Sequence, residues 1–393
     1  MEDNRHRFSD KFDWGLLLII LLFFAASAMS ISSAQTTDQY AVNFVLRQGF
    51  WYVVGFGIIG AALFFDPDQY KRLAWYLYGI GIFLLLLLIV APESIAPVKN
   101  GAKSWFQIPA IGTIQPSEFM KIFLIVALAR LISNHHIVYD NKTLKSDMLL
   151  LVKICITSLV PLALIMLQPD LGTSLVLIAI VTGIIFVSGI SWKIIVPIFS
   201  FLSVVGGSIL SLAIWKPEIL EKYFGVQSYQ FGRIYSWLDP YSYQDREGFH
   251  LVKSLNAIGS GQISGKGYQD REVYIPESHT DFIFSIIGEE YGFIGASLVI
   301  SLFFLLIYHL TKVALETKQP FNVYIIAGII SMITFHVFQN IGMTVQILPI
   351  TGIPLPYISY GGSSLMGNML ALGLVFSMKY YHRTYMFSSE NDE

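Results

Sequence analysis

"WGLLLIILLFFAASAMSI", Trp14 to Ile31, is an unbroken apolar run, and the nature of that run decides the fold. Basic residues precede it and small ones follow, as in a secretory signal peptide. It exceeds the roughly 7–15 residues of a cleavable apolar core, and similar runs recur along the chain. It is therefore read as a retained first membrane helix. About 20 apolar residues cross a bilayer's hydrocarbon core. Runs of that kind predict an all-α integral membrane protein of about ten helices, near 14–33, 46–65, 73–91, 117–133, 148–167, 172–190, 193–214, 281–310, 321–343 and 361–380. Composition agrees: the 393 residues are 54% hydrophobic and 13% charged, with a mean hydropathy of +0.60, against roughly 25% charged for a soluble domain.

The net charge of −2 gives no electrostatic case for a nucleic-acid partner or a polybasic surface anchor. The lone Cys155 has no internal disulfide partner, and within its apolar run it reads as a small buried hydrophobe. Orientation follows from the short loops. With the N-terminus inside, the cytoplasmic side receives Arg5, Arg7, Lys11, Lys71, Arg72, Arg130, Lys142, Lys145, Lys193, Lys312, Lys318, Lys379 and Arg383. The outside receives Arg47, Lys99 and Lys103. Both termini are then cytoplasmic, and 1–393 is one polytopic domain carrying a large extracellular loop, 215–280, between helices seven and eight. Inside the loop, Phe249, Val252, Leu255 and Ile258 recur every three residues, as in a short amphipathic helix on the membrane or over a cavity. The glycines of "GSGQISGKGY" that follow suggest a tight, mobile segment or one lying close to a ligand.

Helices four, six, eight and ten all begin on the outer side, at "PSE", "PDLGTS", "HTD" and "GGSS". Ser, Thr, Asp or Gly stands at a capping position in each, with Ser363 in the last, and Ser278, His279 or Thr280 can cap helix eight. If these starts cluster, their positive dipole ends and free N–H groups make a site for an anion, most naturally phosphate. Glu118 and Lys121, at i and i+3, share a face and can pair; this is either a surface ion pair or a pair facing a polar cavity, where ionisable groups at membrane depth are usually found. Lys103 offers a cation to a phosphate, and Trp105 offers a ring for a sugar or for the membrane border. Asp170 is an N-cap or a ligand. Asp281 goes beyond what capping needs and suits general-base work. Glu289 and Glu290 read as structural partners. His135 and His136 are adjacent rather than at i, i+4 and are not a metal pair, and no P-loop, GxSxG elbow or dinucleotide fingerprint occurs.

Taken in order, "NGAKSWFQIP" (100–109), "QPSEFMK" (115–121), "QPDLGTS" (168–174), "AIGSGQISGKG" (257–267), "IPESHTDFIFSIIGEEYG" (275–292) and "GIPLPYISYGGSS" (352–364) resemble the SEDS glycosyltransferases, closely their RodA (elongation) branch, over nearly the whole chain. The resemblance implies a peptidoglycan glycan-strand polymerase that uses lipid-linked disaccharide-pentapeptide, lipid II, and glycan on undecaprenyl diphosphate. It also implies action at the outer face of a bacterial plasma membrane, beside a class B penicillin-binding protein transpeptidase. In such proteins the Asp of "HTDF" is held essential, which falls on Asp281, and the Glu and Lys of "PSExxK" fall on Glu118 and Lys121. Many members carry Arg before the tryptophan, where this chain has Ser104, which leaves Lys103 to supply that charge. The expected site is Asp281 as base, with Glu118, Lys121, Lys103, Trp105, Asp170 and Ser363 binding substrate. No ligand spacing demands a metal, although Asp281, Glu118 and Asp170 offer oxygens that a divalent cation (Mg or Mn) would accept. Rival readings are a flippase for the same lipid, a scaffold for the crosslinking enzyme, and a division or sporulation member of the family.

Overall fold

The computed structural model describes residues 11–35, 43–98, 101–108, 112–139, 141–219, 228–245, 248–317 and 319–388. Four of the basic residues that set the expected orientation, Arg5, Arg7, Lys99 and Lys318, lie outside them. The long helices are α1 (Trp14–Ala34), α2 (Phe44–Ala62), α3 (Pro67–Val90), α4 (Pro116–Val138), α5 (Leu144–Met166), α6 (Leu171–Val187), α7 (Trp192–Trp215), α10 (Ile283–Glu316), α11 (Pro320–Thr344) and α12 (Gly362–Ser388). Two shorter helices, α8 (Ser228–Leu238) and α9 (Phe249–Ser260), lie between α7 and α10. Seven of the long helices have the length and apolar content to cross a membrane. Of the others, α6 has 17 residues, and α4 and α12 carry polar side chains into the bundle.

All ten expected runs are helices, with boundaries moved by local chemistry. The largest shift of a helix start is at α3, which begins at Pro67 because Asp66 and Gln69 close a reciprocal capping box around a proline at the first helical position. Lys71 and Arg72 then occupy turns that polarity alone had marked as loop. Neither the amphipathic α8 nor the antiparallel hairpin of β1 (Phe106–Ile108) and β2 (Gly112–Ile114) was expected. Cys155 is a correction: it lies exposed on α5 rather than buried.

α4 and α11 form the centre, buried on most of their faces, whereas α7 buries only Ile194, Ile195 and Ala213. α2 packs chiefly on α12, and α3 on α4. Between these pairs lies an apolar cavity of about 240 Å³, lined among others by Ile58, Tyr70, Leu77, Ile122, Phe123 and Leu374.

α10 is broken at Gly292 (φ 59°, ψ −154°). The glycine-rich segment runs into this break. Phe293 N–H donates to Gln262 O (2.9 Å) and Ile294 N–H to Ile263 O (3.2 Å), while Lys266 N–H and Gly267 N–H donate to Glu289 O (3.1 Å) and Glu290 O (3.0 Å). The inserted segment thus satisfies backbone groups that the helix loses at its kink. The side chains reinforce the insertion. Glu289 Oε1 takes Lys266 Nζ (2.9 Å) and the N–H groups of Glu272 (2.9 Å) and Val273 (3.0 Å). Glu290 meets Arg271 (3.5 Å) and Ser33. Both glutamates are structural, as expected, and Gly261 and Gly265 serve close backbone approach. α9 shows a further difference: its buried face is Leu251, Val252, Ser254 and Ala257, packed on α10. Ser254 Oγ bonds Ser285 Oγ (2.6 Å) and Thr344 O (2.7 Å).

A Cβ on Gly265 (φ +79°) would overlap the Glu290 carbonyl, whereas one on Gly259 meets nothing within 4 Å. Gly265→Ala is therefore expected to lower the detergent melting temperature by the equivalent of about 2–4 kcal/mol. Gly259→Ala should stay within about 1 kcal/mol of wild type. Equal melting temperatures for the two variants would show that the segment is not inserted as described.

Candidate active site

α4, α6, α10 and α12 begin at one end of the bundle, and short polar contacts bring their starts together. Gln115, which precedes α4, donates its backbone N–H to Ser363 Oγ of α12 (3.0 Å) and its side-chain amide to Asp170 Oδ2 at the start of α6 (2.8 Å). The start of α12 also packs on the start of α4: a Cβ on Gly367 would stand 3.1 Å from Glu118 O. The loop Val345–Gly361 closes the group. Tyr360 N–H donates to His279 O (2.9 Å), and Ser359 Oγ donates to Thr280 O (2.7 Å). A Cβ on Gly172 of α6 would lie 3.3 Å from Thr351 O. The expected clustering of the four helix starts is present.

The candidate residues separate within this cluster. Lys121 is almost fully buried, with its ammonium 2.9 Å from Glu118 Oε2 and 3.3 Å from His336 Nε2 of α11. The other ring nitrogen, Nδ1, lies 2.8 Å from Met332 O and so carries the proton and donates it. That fixes a neutral His336 whose Nε2 accepts from Lys121. Two of the three ammonium protons are thereby used.

Asp281 stands in the turn before α10, partly buried. Its carboxylate has no hydrogen-bond or ion-pair partner among the described residues, and Oδ2 lies where it would be 3.2 Å from a Cβ on Gly352 (φ +71°). Burial, then the negative charge of Glu277, push its pKa from 3.8 up to about 6. Its backbone is held by Asn340 of α11, whose Nδ2 donates to Asp281 O (2.7 Å) and Ile353 O (2.8 Å). His336 and Asn340 are one helical turn apart, a rise of about 6 Å. The base candidate and the buried cation are therefore anchored to the same stretch of α11.

Three expected contributors, Asp170, Ser363 and Lys103, are hydrogen-bonded within the protein. Asp170 caps α6 through Thr173 N–H (3.0 Å) and takes Thr173 Oγ1 and Gln115 Nε2 (2.8 Å each), so the cap reading holds. Ser363 Oγ accepts from Gln115 N–H and donates to Thr113 O (3.1 Å), which makes it a lock between α12 and the hairpin. Lys103 Nζ donates to Ile89 O (3.1 Å) and Ala91 O at the C-terminus of α3, where a cation complements the helix dipole. Trp105 is half-buried beside Ser104, whose Oγ donates to Gln168 O (3.3 Å). None of the three expected caps serves α10: its first turn and that of α4 have no side-chain cap. Among the described residues those two therefore keep first-turn N–H groups free of a side-chain acceptor, whereas Asp170 caps the start of α6. Of the carboxylates considered for a divalent cation, Glu118 is paired with Lys121 and Asp170 caps its own helix. No group of three His, Cys, Asp or Glu side chains suited to a metal occurs among the described residues.

His336 and Asn340 were not singled out in the sequence, although "HVFQN" sets His336, Gln339 and Asn340 at i, i+3 and i+4 on one face of an apolar helix. That pattern is itself a signal of inward-facing polar groups.

Residues 10–384 match the model of the family of FtsW, RodA and SpoVE, described as cell cycle proteins. The chain belongs to this family. Among curated relatives, stage V sporulation protein E of Bacillus subtilis is 34% identical over 94% of this chain and 95% of its own length. The peptidoglycan glycosyltransferase MrdB of Escherichia coli K12 is 33% identical over 98% of each. Among solved structures, a chain from a study of polymerization and crosslinking by a peptidoglycan synthase complex superposes with a TM-score of 0.75 at 28% identity, covering 95% of this chain and 98% of that one. The rod shape determining protein RodA of Thermus thermophilus gives 0.67 at 25%, covering 94% and 97%. Membership of the FtsW, RodA and SpoVE family thus rests on the full length of the bundle, and the SEDS resemblance is borne out.

In this family member Asp281 ionises less readily folded than unfolded, so its charge opposes folding increasingly from about pH 3.8 to about 6 and by a constant amount above. Asp281→Asn removes that cost. The variant is expected to melt about 2–6 °C above wild type at pH 7.5, with the gain vanishing near pH 4. A variant that melts well below wild type at pH 7.5 would mark Asp281 as a structural group.

Proposed function

We propose that the chain polymerises peptidoglycan glycan strands from lipid-linked disaccharide, on the extracellular face of a bacterial plasma membrane. The observation that carries this reading is the unpartnered Asp281 carboxylate, with its pKa near 6, anchored one turn of α11 from a buried Lys121–Glu118 pair.

Strand extension forms a bond between a sugar hydroxyl oxygen and the anomeric carbon of another lipid-linked sugar, and breaks that carbon's bond to diphosphate. The polyprenyl diphosphate leaves with the electron pair, and a direct displacement inverts the anomeric centre. The hydroxyl proton needs an acceptor. A carboxylate with a pKa near 6 is ionised at neutral pH yet basic enough to take it. Negative charge builds on the leaving diphosphate, and Lys121 supplies positive charge from a low-dielectric position that needs no reorganisation. Glu118 and His336 hold that ammonium in place. Uncapped first turns of α4 and α10 add N–H dipoles of the same sign. The apolar cavity between α2, α3, α4 and α12, lined in part by Ile122 next to Lys121, suits a polyprenyl chain. Lys103, Asp170 and Ser363 are given no substrate contact in this reading, since their polar atoms are engaged within the protein.

The elongation role and a transpeptidase partner of class B penicillin-binding type belong to the same proposal. Similarity to RodA and to a chain of a peptidoglycan synthase complex supports them, while the sporulation relative at 34% identity argues for testing the branch directly. Complementation of a strain depleted of its elongation member, scored by rod shape, is that test.

Purified protein, with its transpeptidase partner and lipid-linked disaccharide, is expected to yield glycan strands. Asp281→Asn is expected to reduce the yield at least ~100-fold. Wild-type rate should fall about tenfold between pH 7 and pH 5 as the carboxylate protonates, and Glu277→Gln should move that limb to lower pH by removing a repelling charge. Full polymerisation by Asp281→Asn would end the enzymatic role given to this residue, and lipid translocation without synthesis would favour a flippase.

A further inference from the structure

α11 carries two contacts that reach the reacting groups from the same side. His336 receives Lys121, and one turn on, Asn340 spends both amide protons on carbonyls from separate segments: Asp281 O before α10 and Ile353 O in the loop before α12. The amide orientation is unambiguous, because the reverse would face its oxygen against two carbonyl oxygens. Ile353 follows Gly352, over which the Asp281 carboxylate lies, so one side chain fixes both the backbone that bears the carboxylate and the surface beneath it. Among the described residues, Asn340 Oδ1 is buried and without a hydrogen-bond partner, as are Thr351 Oγ1 in the loop that carries Ile353 and Ser117 Oγ next to Glu118. Buried polar atoms in folded proteins are overwhelmingly hydrogen-bonded. Asn340 and Thr351 belong to segments that meet Asp281, and Ser117 adjoins Glu118 in the chain.

We propose that Asn340 is a positioning residue for the transfer reaction: it sets the Asp281 carboxylate over Gly352 at a fixed distance, along α11, from the ammonium that His336 and Glu118 hold. This rests on the reading of Asp281 as the proton acceptor. Such placement acts on the transition state more than on substrate affinity, since a misplacement of about 1 Å can cost ~100-fold in rate.

The test measures kcat and KM for lipid-linked disaccharide, with detergent melting temperature as a check on folding. Asn340→Ala is expected to lower kcat ~10–100-fold with KM within about threefold. The neighbouring Gln339 ties the same loop through Pro349 O (3.0 Å) but does not touch Asp281, and Gln339→Ala should keep kcat within about threefold. Gly352→Ala perturbs the carboxylate from below. Combined with Asn340→Ala it should lose less than the product of the two single losses, because both act on one position. If Asn340→Ala does not fold, Asn340→Ser, which keeps one donor, takes its place with an intermediate loss expected. Wild-type kcat in a folded Asn340 variant, a change confined to KM, or multiplicative losses with Gly352→Ala would each overturn the inference. In those outcomes an inactive Asp281→Asn leaves the functional reading standing, whereas an active Asp281→Asn removes the reading itself.

Discussion

An ammonium in the middle of an apolar bundle cannot stay charged alone, because isolating a charge from water costs several kcal/mol at least. Lys121 therefore needs both Glu118 on its own helix and the neutral His336 on α11. That requirement places α4 against α11, and the rest of the site follows from it. α11 then extends one turn to Asn340, which ties in Asp281 and Ile353. Around this axis nearly every charged or polar side chain near the helix starts has a partner, including Asp170, Ser363 and Lys103. Of the carboxylates Glu118, Asp170 and Asp281, only Asp281 has no partner among the described residues, and an unpaired carboxylate in such a neighbourhood is where chemistry is most naturally sited.

The break in α10 serves the same end. A helix that ran straight through Gly292 would have no place for Gln262–Gly267, and the loop between α7 and α10 would have no fixed path. Insertion couples the loop to the outermost turns of α10, directly beyond the turn that bears Asp281. Lys266 and Arg271 anchor it on Glu289 and Glu290, and Arg271 reaches α1 through Ser33 O (2.8 Å). Glycine is needed at positions 261 and 265 because backbone meets backbone there. The same residues that suggest mobility in the sequence are a condition of rigidity in the fold.

Hydropathy over each run was enough to reveal the helical bundle, because every backbone polar group in hydrocarbon must be satisfied within its own helix. The carboxylate and the ion pair were also legible: Asp281, Glu118 and Lys121 are costly at membrane depth, and their spacing says which of them share a face. Reading stopped where a polar group has several outlets of similar energy. Lys103 and Ser363 are as well suited to a phosphate as to a carbonyl, and Asp170 is as well suited to a substrate hydroxyl as to an N–H, and the contacts they make come from residues 12 to 250 positions away or from their own helix turn. Capping failed likewise at α10, where Thr280 turns to Glu277 O (2.8 Å) instead of to the helix.

What the sequence determined by itself was an α-helical membrane bundle, its approximate spans, and the few ionisable groups too expensive to be there by accident. Each of these depends on local composition and on spacing within one helix. Which groups remain unpaired was decided only by tertiary packing. His336 and Asn340 become partners of Lys121 and Asp281 because α11 crosses both, and long-range proximity of that kind is set by how helices pack rather than by any single run of residues.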